Sequence, residues 1–205
     1  MLRVIAGQLG GRRLRTPSGL STRPTADRVR EALFNILGPP PPSARVLDLY
    51  AGSGALGIEA LSRGAAQAIF VEQDARVCRQ ISDNLASLGL AGRGVVRCGR
   101  AVSLLPQLAQ SAERVAPFSW VFADPPYDSD ELPALMARLG RMSLLAADAQ
   151  IIIERSRRDA DSLAQTITSE TPPSPFRLTD SRRYGDTVLL FFSLLPPGLQ
   201  PTEGP

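Results

Sequence analysis

Four residues space this chain like a ruler. Asp48, Glu72, Cys98 and Asp124 each lie at or near the end of an apolar run, and their separations are 24, 26 and 26 residues. One strand, one helix and their two connections fill about that length. The runs are RVLDLY, AIFVE, GVVRC and WVFAD, with QIIIE as a fifth. Between them lie ALGIEALSRG, closed by Gly64, then a helical stretch from about Asp74 to Leu88, stopped by Gly89. AVSLLPQLAQ follows, helical around a proline, and a further helix starts after Ser129-Asp130-Glu131, whose acidic first turn suits the helix dipole. Near-continuous apolar strands separated by helices predict a parallel sheet covered on both faces. FRLTDSRRY and DTVLLFFS then read as two antiparallel strands around Gly185. In doubly wound sheets, ligands bind beyond the carboxyl ends of the strands, where strand order reverses. If the first and fourth strands flank that point, Asp48 and Asp124 approach each other from far apart in sequence.

Upstream of the ruler, LRVIA and RRLRT flank the turn GQLGG and predict a hairpin of two short strands. TADRVREALFNIL predicts a helix with Val29, Ala32, Leu33, Ile36 and Leu37 on one face. Thr25 is its expected N-cap and Gly38 its expected C′ residue, with Pro39 blocking continuation. The stiff GPPPPS linker places a domain boundary near residue 43. The expected organisation is therefore a basic hairpin-and-helix extension over 1–42, a main domain over 43–195 and a disordered tail over 196–205.

Charge follows that division. Residues 1–30 hold seven arginines (Arg3, Arg12, Arg13, Arg15, Arg23, Arg28, Arg30) and one acid, Asp27, a net +6. The whole chain is +3, so the remainder is −3. A basic arm on a mildly acidic body suggests a nucleic-acid partner, against the plainer reading of solvated helix and arm charges, which Arg28 and Arg30 also fit.

Two absences narrow the chemistry. There is no histidine, which removes Ser-His-Asp and Cys-His catalysis and most transition-metal sites. There is no lysine either, so all 23 cations are arginine, and Schiff-base or Walker-type lysine chemistry is excluded. What remains is carboxylates, hydroxyls, arginine and backbone. Cys78 and Cys98 are too few for a disulfide framework and lack zinc spacing, so they read as buried free thiols, with no metal expected. No apolar run approaches the ~20 residues of a membrane span, and MLRVIAGQLG is too short and mixed for a signal peptide, so a cytoplasmic location is expected.

DLYAGSGALGIEA carries Gly52-x-Gly54-x-x-Gly57 between a strand and a helix, with Glu72 ending the next strand 20 residues after Gly52. That meets the dinucleotide fingerprint. Glycines there permit positive φ and close approach of a ligand to backbone, and Glu72 can accept both hydroxyls of a ribose. Asp48 favours S-adenosylmethionine over NAD. An acid at that strand tip suits an ammonium and a sulfonium and repels a pyrophosphate.

The fourth strand runs into Asp124-Pro125-Pro126-Tyr127. Asp124 and Pro125 each precede a proline and are biased to extended geometry, and neither proline offers an N–H. The segment is either a rigid turn or a pair of aimed acceptors, the Asp124 carboxylate and the Pro125 carbonyl, beside the flat face of Tyr127. The second reading fits an exocyclic amino group on a nucleobase taken out of its stack. Trp120, just upstream, reads as core.

Taken in order, RVIAGQLGGRRLRTP, TRPTADRVREALFNIL, VLDLYAGSGALGIEALSRGA, FVEQD, ADPPYD and RRYGDT resemble the bacterial 16S ribosomal RNA guanine-N2 methyltransferases of the RsmD type. The resemblance implies an α/β, Rossmann-like class I methyltransferase fold, with a seven-stranded mostly parallel sheet, helices on both faces and the N-terminal hairpin and helix added. It implies S-adenosylmethionine as donor and methylation of one guanine N2 in 16S rRNA, of the guanine-966 type, with the DPPY loop holding the flipped base. Asp48, Tyr50, Ala51, Gly52, Ser53, Gly54, Glu72 and Gln73 fall in the cofactor region. So do Arg100 and Ala101, with Arg100 where many such enzymes carry an acid near the adenine. Adenine recognition is then expected from backbone around Gly99 and Ala101. Asp124, Pro125, Pro126 and Tyr127 fall in the catalytic loop. Arg12, Arg13, Arg23, Thr25, Arg28, Arg182, Arg183 and Tyr184 would face RNA, although Tyr184 also reads as a half-buried strand residue. The expected partner is 16S rRNA within a 30S subunit or assembly intermediate, met by a monomer and no membrane. The alternatives are a DNA adenine-N6 or cytosine-N4 amino-methyltransferase, an NAD-dependent oxidoreductase, and a silent RNA-binding module.

Overall fold

The computed structural model describes residues 2–16, 24–112, 116–125, 131–169 and 174–196, with backbone alone at 24–26 and 111–112. They gather into two compact units, Met1–Leu104 and Leu105–Pro205.

The first unit carries three parallel strands in the order β3-β2-β1: β1 (Arg45–Leu49), β2 (Gln67–Glu72) and β3 (Gly94–Cys98). Every residue of β1 is buried, as a parallel strand covered on both faces requires. Its first residue, Arg45, meets its register partner Gln67 through an Nε–Oε1 hydrogen bond of 3.0 Å. Helices α2 (Ala55–Ser62) and α3 (Ala75–Ser87) supply the crossovers. Asp74 caps α3 by accepting from the Arg76 and Val77 amides, and Gly89 stops the chain in a left-handed turn at φ 72°.

The N-terminal hairpin is shorter than the sequence suggests. Its strands reduce to one antiparallel bridge, Arg3 to Arg13, flanked by amide–carbonyl bonds between Val4 and Arg12 and between Leu14 and Leu2. Side-chain anchors replace the missing ladder. The buried Glu59 carboxylate accepts the Ile5 and Ala6 amides at 2.7 and 3.0 Å and pairs with Arg63 at 2.7 Å. Ser62 Oγ accepts from the Leu9 amide and donates to the Ala6 carbonyl. Asn84 exchanges two hydrogen bonds with the Arg15 backbone. A Cβ at Gly7 would sit 2.1 Å from the Ser62 carbonyl oxygen, so only glycine lets the turn lie on α2 this closely.

Helix α1 (Pro24–Leu37) opens on Pro24, so Thr25 lies inside the first turn and is not the N-cap; proline at the first position loses no intrahelical bond. Gly38 ends α1 at φ 71°, as expected of a C′ glycine. The buried stripe differs from the expected one. Ile36 is 41% exposed, while Phe34 is fully buried beneath the Arg63 guanidinium, 4.9 Å from its ring centroid. Arg30 is not a solvated helix charge either. It is 5% exposed, donates to the Arg3 carbonyl at 2.7 Å and pairs with Asp27 at 3.2 Å.

Helix α4 (Ala101–Ala112), with Pro106 inside it, leads into the second unit. There β4 (Phe118–Ala123), β5 (Leu145–Ser156), β6 (Phe176–Tyr184) and β7 (Thr187–Leu194) stand in the order β4-β5-β7-β6. β4 and β5 are parallel, and β7 runs antiparallel to both of its neighbours. Gly185, at φ 63°, turns β6 into β7. Trp120 is core, 3% exposed and tilted against Phe122. Helix α5 (Glu131–Arg141) begins at the acidic residue expected of it, and α6 (Ala160–Ile167) was not foreseen. The tail beyond 196 lies outside the described residues.

Replacing Glu59 with alanine leaves two amides without their acceptor and Arg63 without its partner. We expect the unfolding free energy to fall by about 2–3 kcal/mol. Hydrogen exchange at Ile5 and Ala6 should quicken while β1 stays protected; unchanged exchange at both amides would contradict the anchoring role.

Candidate active site

The glycine loop follows β1 directly. Tyr50 takes a left-handed φ of 57°, unusual for a residue with a side chain, and Gly52 and Gly54 follow at 53° and 74°. Three backbone groups are then bound in turn. The Ala51 amide reaches the Val71 carbonyl at 3.0 Å, and the Gly54 amide the Ala51 carbonyl at 2.7 Å. The Gly52 amide reaches Glu72 Oε2 at 2.9 Å. Glu72 Oε1 also accepts the Gln73 and Asp74 amides at 2.7 and 2.9 Å. A carboxylate offers about four acceptor positions. Three are occupied, so Glu72 retains room for one further donor, fewer than the pair of ribose hydroxyls expected of it.

Asp48 is 2% exposed, and its Oδ2 accepts the Gly57 amide at 2.9 Å, tying β1 to the first turn of α2. A Cβ at Gly57 would lie 2.3 Å from Phe70 Cε1, so this third glycine serves helix–strand packing. Gly52 differs: a Cβ there would meet nothing nearer than the Tyr50 carbonyl oxygen at 3.9 Å. The side of Gly52 that a side chain would fill is open, which fits a ligand lying against backbone. Ala51 is buried and Ser53 half-buried. At the end of β3, the Gly99 amide bonds the Glu72 carbonyl at 2.8 Å, and the Arg100 carbonyl accepts from the Ser103 and Leu104 amides as α4 begins. Arg100 is exposed and Ala101 buried. The residues predicted for the cofactor thus gather at the carboxyl ends of β1, β2 and β3.

In the second unit Asp124 and Pro125 follow β4; Pro126 and Tyr127 lie outside the described residues. Two groups join them that the sequence reading passed over, Glu154 and Arg155. Arg155 is 5% exposed and its Nη1 donates to the Pro125 carbonyl at 3.4 Å, leaving that oxygen one lone pair. Asp124 meets solvent, yet protein crowds it on its other sides. That crowding pushes its pKa up to about 6, against the pull of the Arg155 charge. Burial, and then repulsion from Asp124, push Glu154 up to about 7. A signal for this pair was present: two adjacent charges ending an Ile-Ile-Ile run, where successive side chains point to opposite faces.

Of the residues expected to face RNA, Arg12, Arg13 and Arg28 are exposed in the first unit. Arg12 Nη2 donates to the Ser87 carbonyl at 3.3 Å. In the second unit Arg182 and Arg183 are exposed and paired with Asp180 (2.8 Å) and Asp161 (3.6 Å), while Tyr184 is half-buried. Arg23 and the Thr25 side chain lie outside what is described.

With α/β architecture, a glycine loop that leaves backbone open and an acidic strand end beside it, the fold and site define the class of S-adenosylmethionine-dependent methyltransferases of Rossmann-like fold. A ribosomal protein L11 methylase structure from Lactobacillus delbrueckii shares that fold at 20% identity, with a TM-score of 0.65 over 88% of this chain and 84% of that one. The chain itself belongs to the small-subunit ribosomal RNA methyltransferase D family. The family described as "Conserved hypothetical protein 95" matches residues 2–193. Ribosomal RNA small subunit methyltransferase D of Escherichia coli K12 is 44% identical over 153 residues, 75% of this chain and 74% of that protein. The Haemophilus influenzae protein of the same name is 36% identical over 76% of this chain and 79% of its own length. The solved structure of Escherichia coli yhhF is 36% identical, with a TM-score of 0.74 over 94% of this chain and 97% of that one.

Asp124 and Glu154 have folded-state pKa values above their ordinary 3.8 and 4.5. Folding therefore takes up protons between the ordinary and the raised values, and the contribution of these groups to stability falls as pH rises from about 4 to about 7. Glu154→Gln removes one of these groups. Its melting temperature relative to wild type should be higher at pH 8 than at pH 5, by calorimetry; a pH-independent difference would contradict the assigned shift.

Proposed function

We infer that this protein methylates small-subunit ribosomal RNA, and that the acceptor is the exocyclic N2 of one guanine of the 966 type. The membership of the chain in its family supports ribosomal RNA. One observation carries the chemistry: the carboxyl end of β4 offers two adjacent acceptors, the Asp124 carboxylate and the Pro125 carbonyl, in a stretch where proline removes competing donors.

A guanine amino nitrogen is a poor nucleophile because its lone pair is delocalised into the ring. Two acceptors that take its two N–H groups orient the nitrogen and stabilise the positive charge that develops on it. Gly52 and the remaining acceptor position of Glu72 would hold S-adenosylmethionine, which would supply an electrophilic methyl group. Asp124 then takes the proton that the methylated nitrogen sheds, and its pKa of about 6 suits a base working near neutrality. Arg155 supports the loop by holding the Pro125 carbonyl and partly offsetting the Asp124 charge. In this reading Tyr127 stacks on the flipped guanine.

The arginines supply position rather than base identity. Arg12, Arg13 and Arg28 stand on a hairpin and helix held by buried side chains, a rigid basic platform. Arg23 and Thr25 are also assigned to RNA in the same reading. Arg182 and Arg183 hold their acids through exposed ion pairs, worth ~0–1 kcal/mol each, which phosphate oxygens can replace; Tyr184 adjoins them. The substrate is 16S rRNA within a 30S subunit or assembly intermediate, met by a cytoplasmic monomer.

Labelled S-adenosylmethionine, offered with 16S rRNA, 30S particles or duplex DNA, separates the candidate substrates. Label is expected in RNA, in one or both forms; label in DNA alone would overturn the reading. Asp124→Ala should abolish transfer with cofactor affinity kept, and wild-type turnover should rise with pH through about 6 as Asp124 ionises. Near-normal turnover in Asp124→Ala would contradict the role given to that carboxylate.

A further inference from the structure

The two cysteines stand together at the edge of the cofactor cradle, 20 residues apart in sequence. Cys78 lies in the first turn of α3, 6% exposed, and its Sγ donates to the Glu72 carbonyl at 3.2 Å. Cys98 is the last residue of β3, the register partner of Glu72, and its Sγ lies 3.9 Å from the next carbonyl, that of Gln73. The two sulfurs thus lie against consecutive carbonyls, those of Glu72 and Gln73. Contrary to the expectation of two buried thiols, Cys98 is exposed.

We propose that Cys78 and Cys98 are a peroxide-oxidisable pair whose disulfide weakens S-adenosylmethionine binding. The exposed Cys98 sulfur attacks a hydroperoxide oxygen; the O–O bond breaks, Cys98 becomes a sulfenic acid and, with hydrogen peroxide, one water leaves. The Cys78 sulfur then attacks the sulfenic sulfur. The S–S bond forms, the S–O bond breaks, and the hydroxyl departs as water with the Cys78 proton. Two thiols are oxidised and one peroxide is reduced to two waters. Burial and the contact with Cys98 push the Cys78 thiol up to about 12, so it keeps its proton until the sulfenic acid stands beside it.

The effect on binding follows from the segment between Glu72 and Cys78. The Gln73 and Asp74 amides hold Glu72 Oε1, and Asp74 caps α3. A disulfide takes the Cys78 donor from the Glu72 carbonyl and draws the first turn of α3 toward the end of β3. That shifts the amides that orient the Glu72 carboxylate. The Gly99 amide, bound to the same carbonyl, moves with it. This coupling rests on the reading that Glu72 holds the cofactor ribose, whereas the oxidation itself does not.

The full chain, reduced and then treated with hydrogen peroxide, is digested with trypsin and analysed by mass spectrometry. Fragments 77–79 and 98–100 should appear linked, and calorimetric affinity for S-adenosylmethionine should fall by about tenfold, returning on reduction with dithiothreitol. Cys98→Ser and Cys78→Ser should bind cofactor as the reduced protein does and keep that affinity after peroxide. Cys98 oxidised without linkage to Cys78 would overturn the thiol pair. A linked protein of unchanged affinity would overturn the coupling. Glu72→Ala with full affinity would instead remove the ribose reading and leave the thiol pair standing.

Discussion

A sharp turn at the end of a buried strand leaves amides that neither helix nor sheet can satisfy, and two carboxylates satisfy them here. Glu72 gathers the amides of Gly52, Gln73 and Asp74, and Asp48 holds that of Gly57. The Gly57 amide is buried and the Gly52 amide partly so, and a buried amide without an acceptor is costly, so the loop depends on these acids before any ligand arrives. The same bonds set the cradle: they hold backbone open at Gly52, join the ends of β1 and β2, and start α3. Asp48 therefore has a structural partner, the Gly57 amide, whatever ligand lies beyond the strand end.

Second-unit chemistry depends on a different balance. In the proposed reaction no histidine is available to take the proton and Asp124 takes it, and crowding around this carboxylate moves its pKa upward to suit. Arg155 keeps the shift moderate, and Glu154 increases the acid density around it. The loop is thus tuned by neighbours on β5, whose contribution no motif carries.

What could be read from sequence followed from local physics. Gly52, Gly54 and Gly57 were legible because tight turns and close packing demand glycine, and Asp74 and Gly89 because helix ends have few chemical solutions. Other features needed tertiary partners. TADRVREALFNIL offers two neighbouring apolar faces, and the structure selects the one with Phe34 and a buried Arg30, because the Arg3 carbonyl and Arg63 wait there. The hairpin is held less by its own ladder than by Glu59, Ser62 and Asn84, whose partners lie 53 to 69 residues away. Helix α6 escaped notice because eight residues with four buried positions make a short, weak pattern. Arg155 was missed because its contact with Pro125 spans 30 residues and two strands.

In the proposed reaction the Asp124 carboxylate and the Pro125 carbonyl present a guanine amino group for methylation. Mass spectrometry of nucleosides from 16S rRNA, taken from a strain lacking its own modification and reacted with this protein, tests it most directly. One N2-methylguanosine should be gained, and no other methylated nucleoside. Methyl groups on adenine N6 or cytosine N4 instead would contradict it.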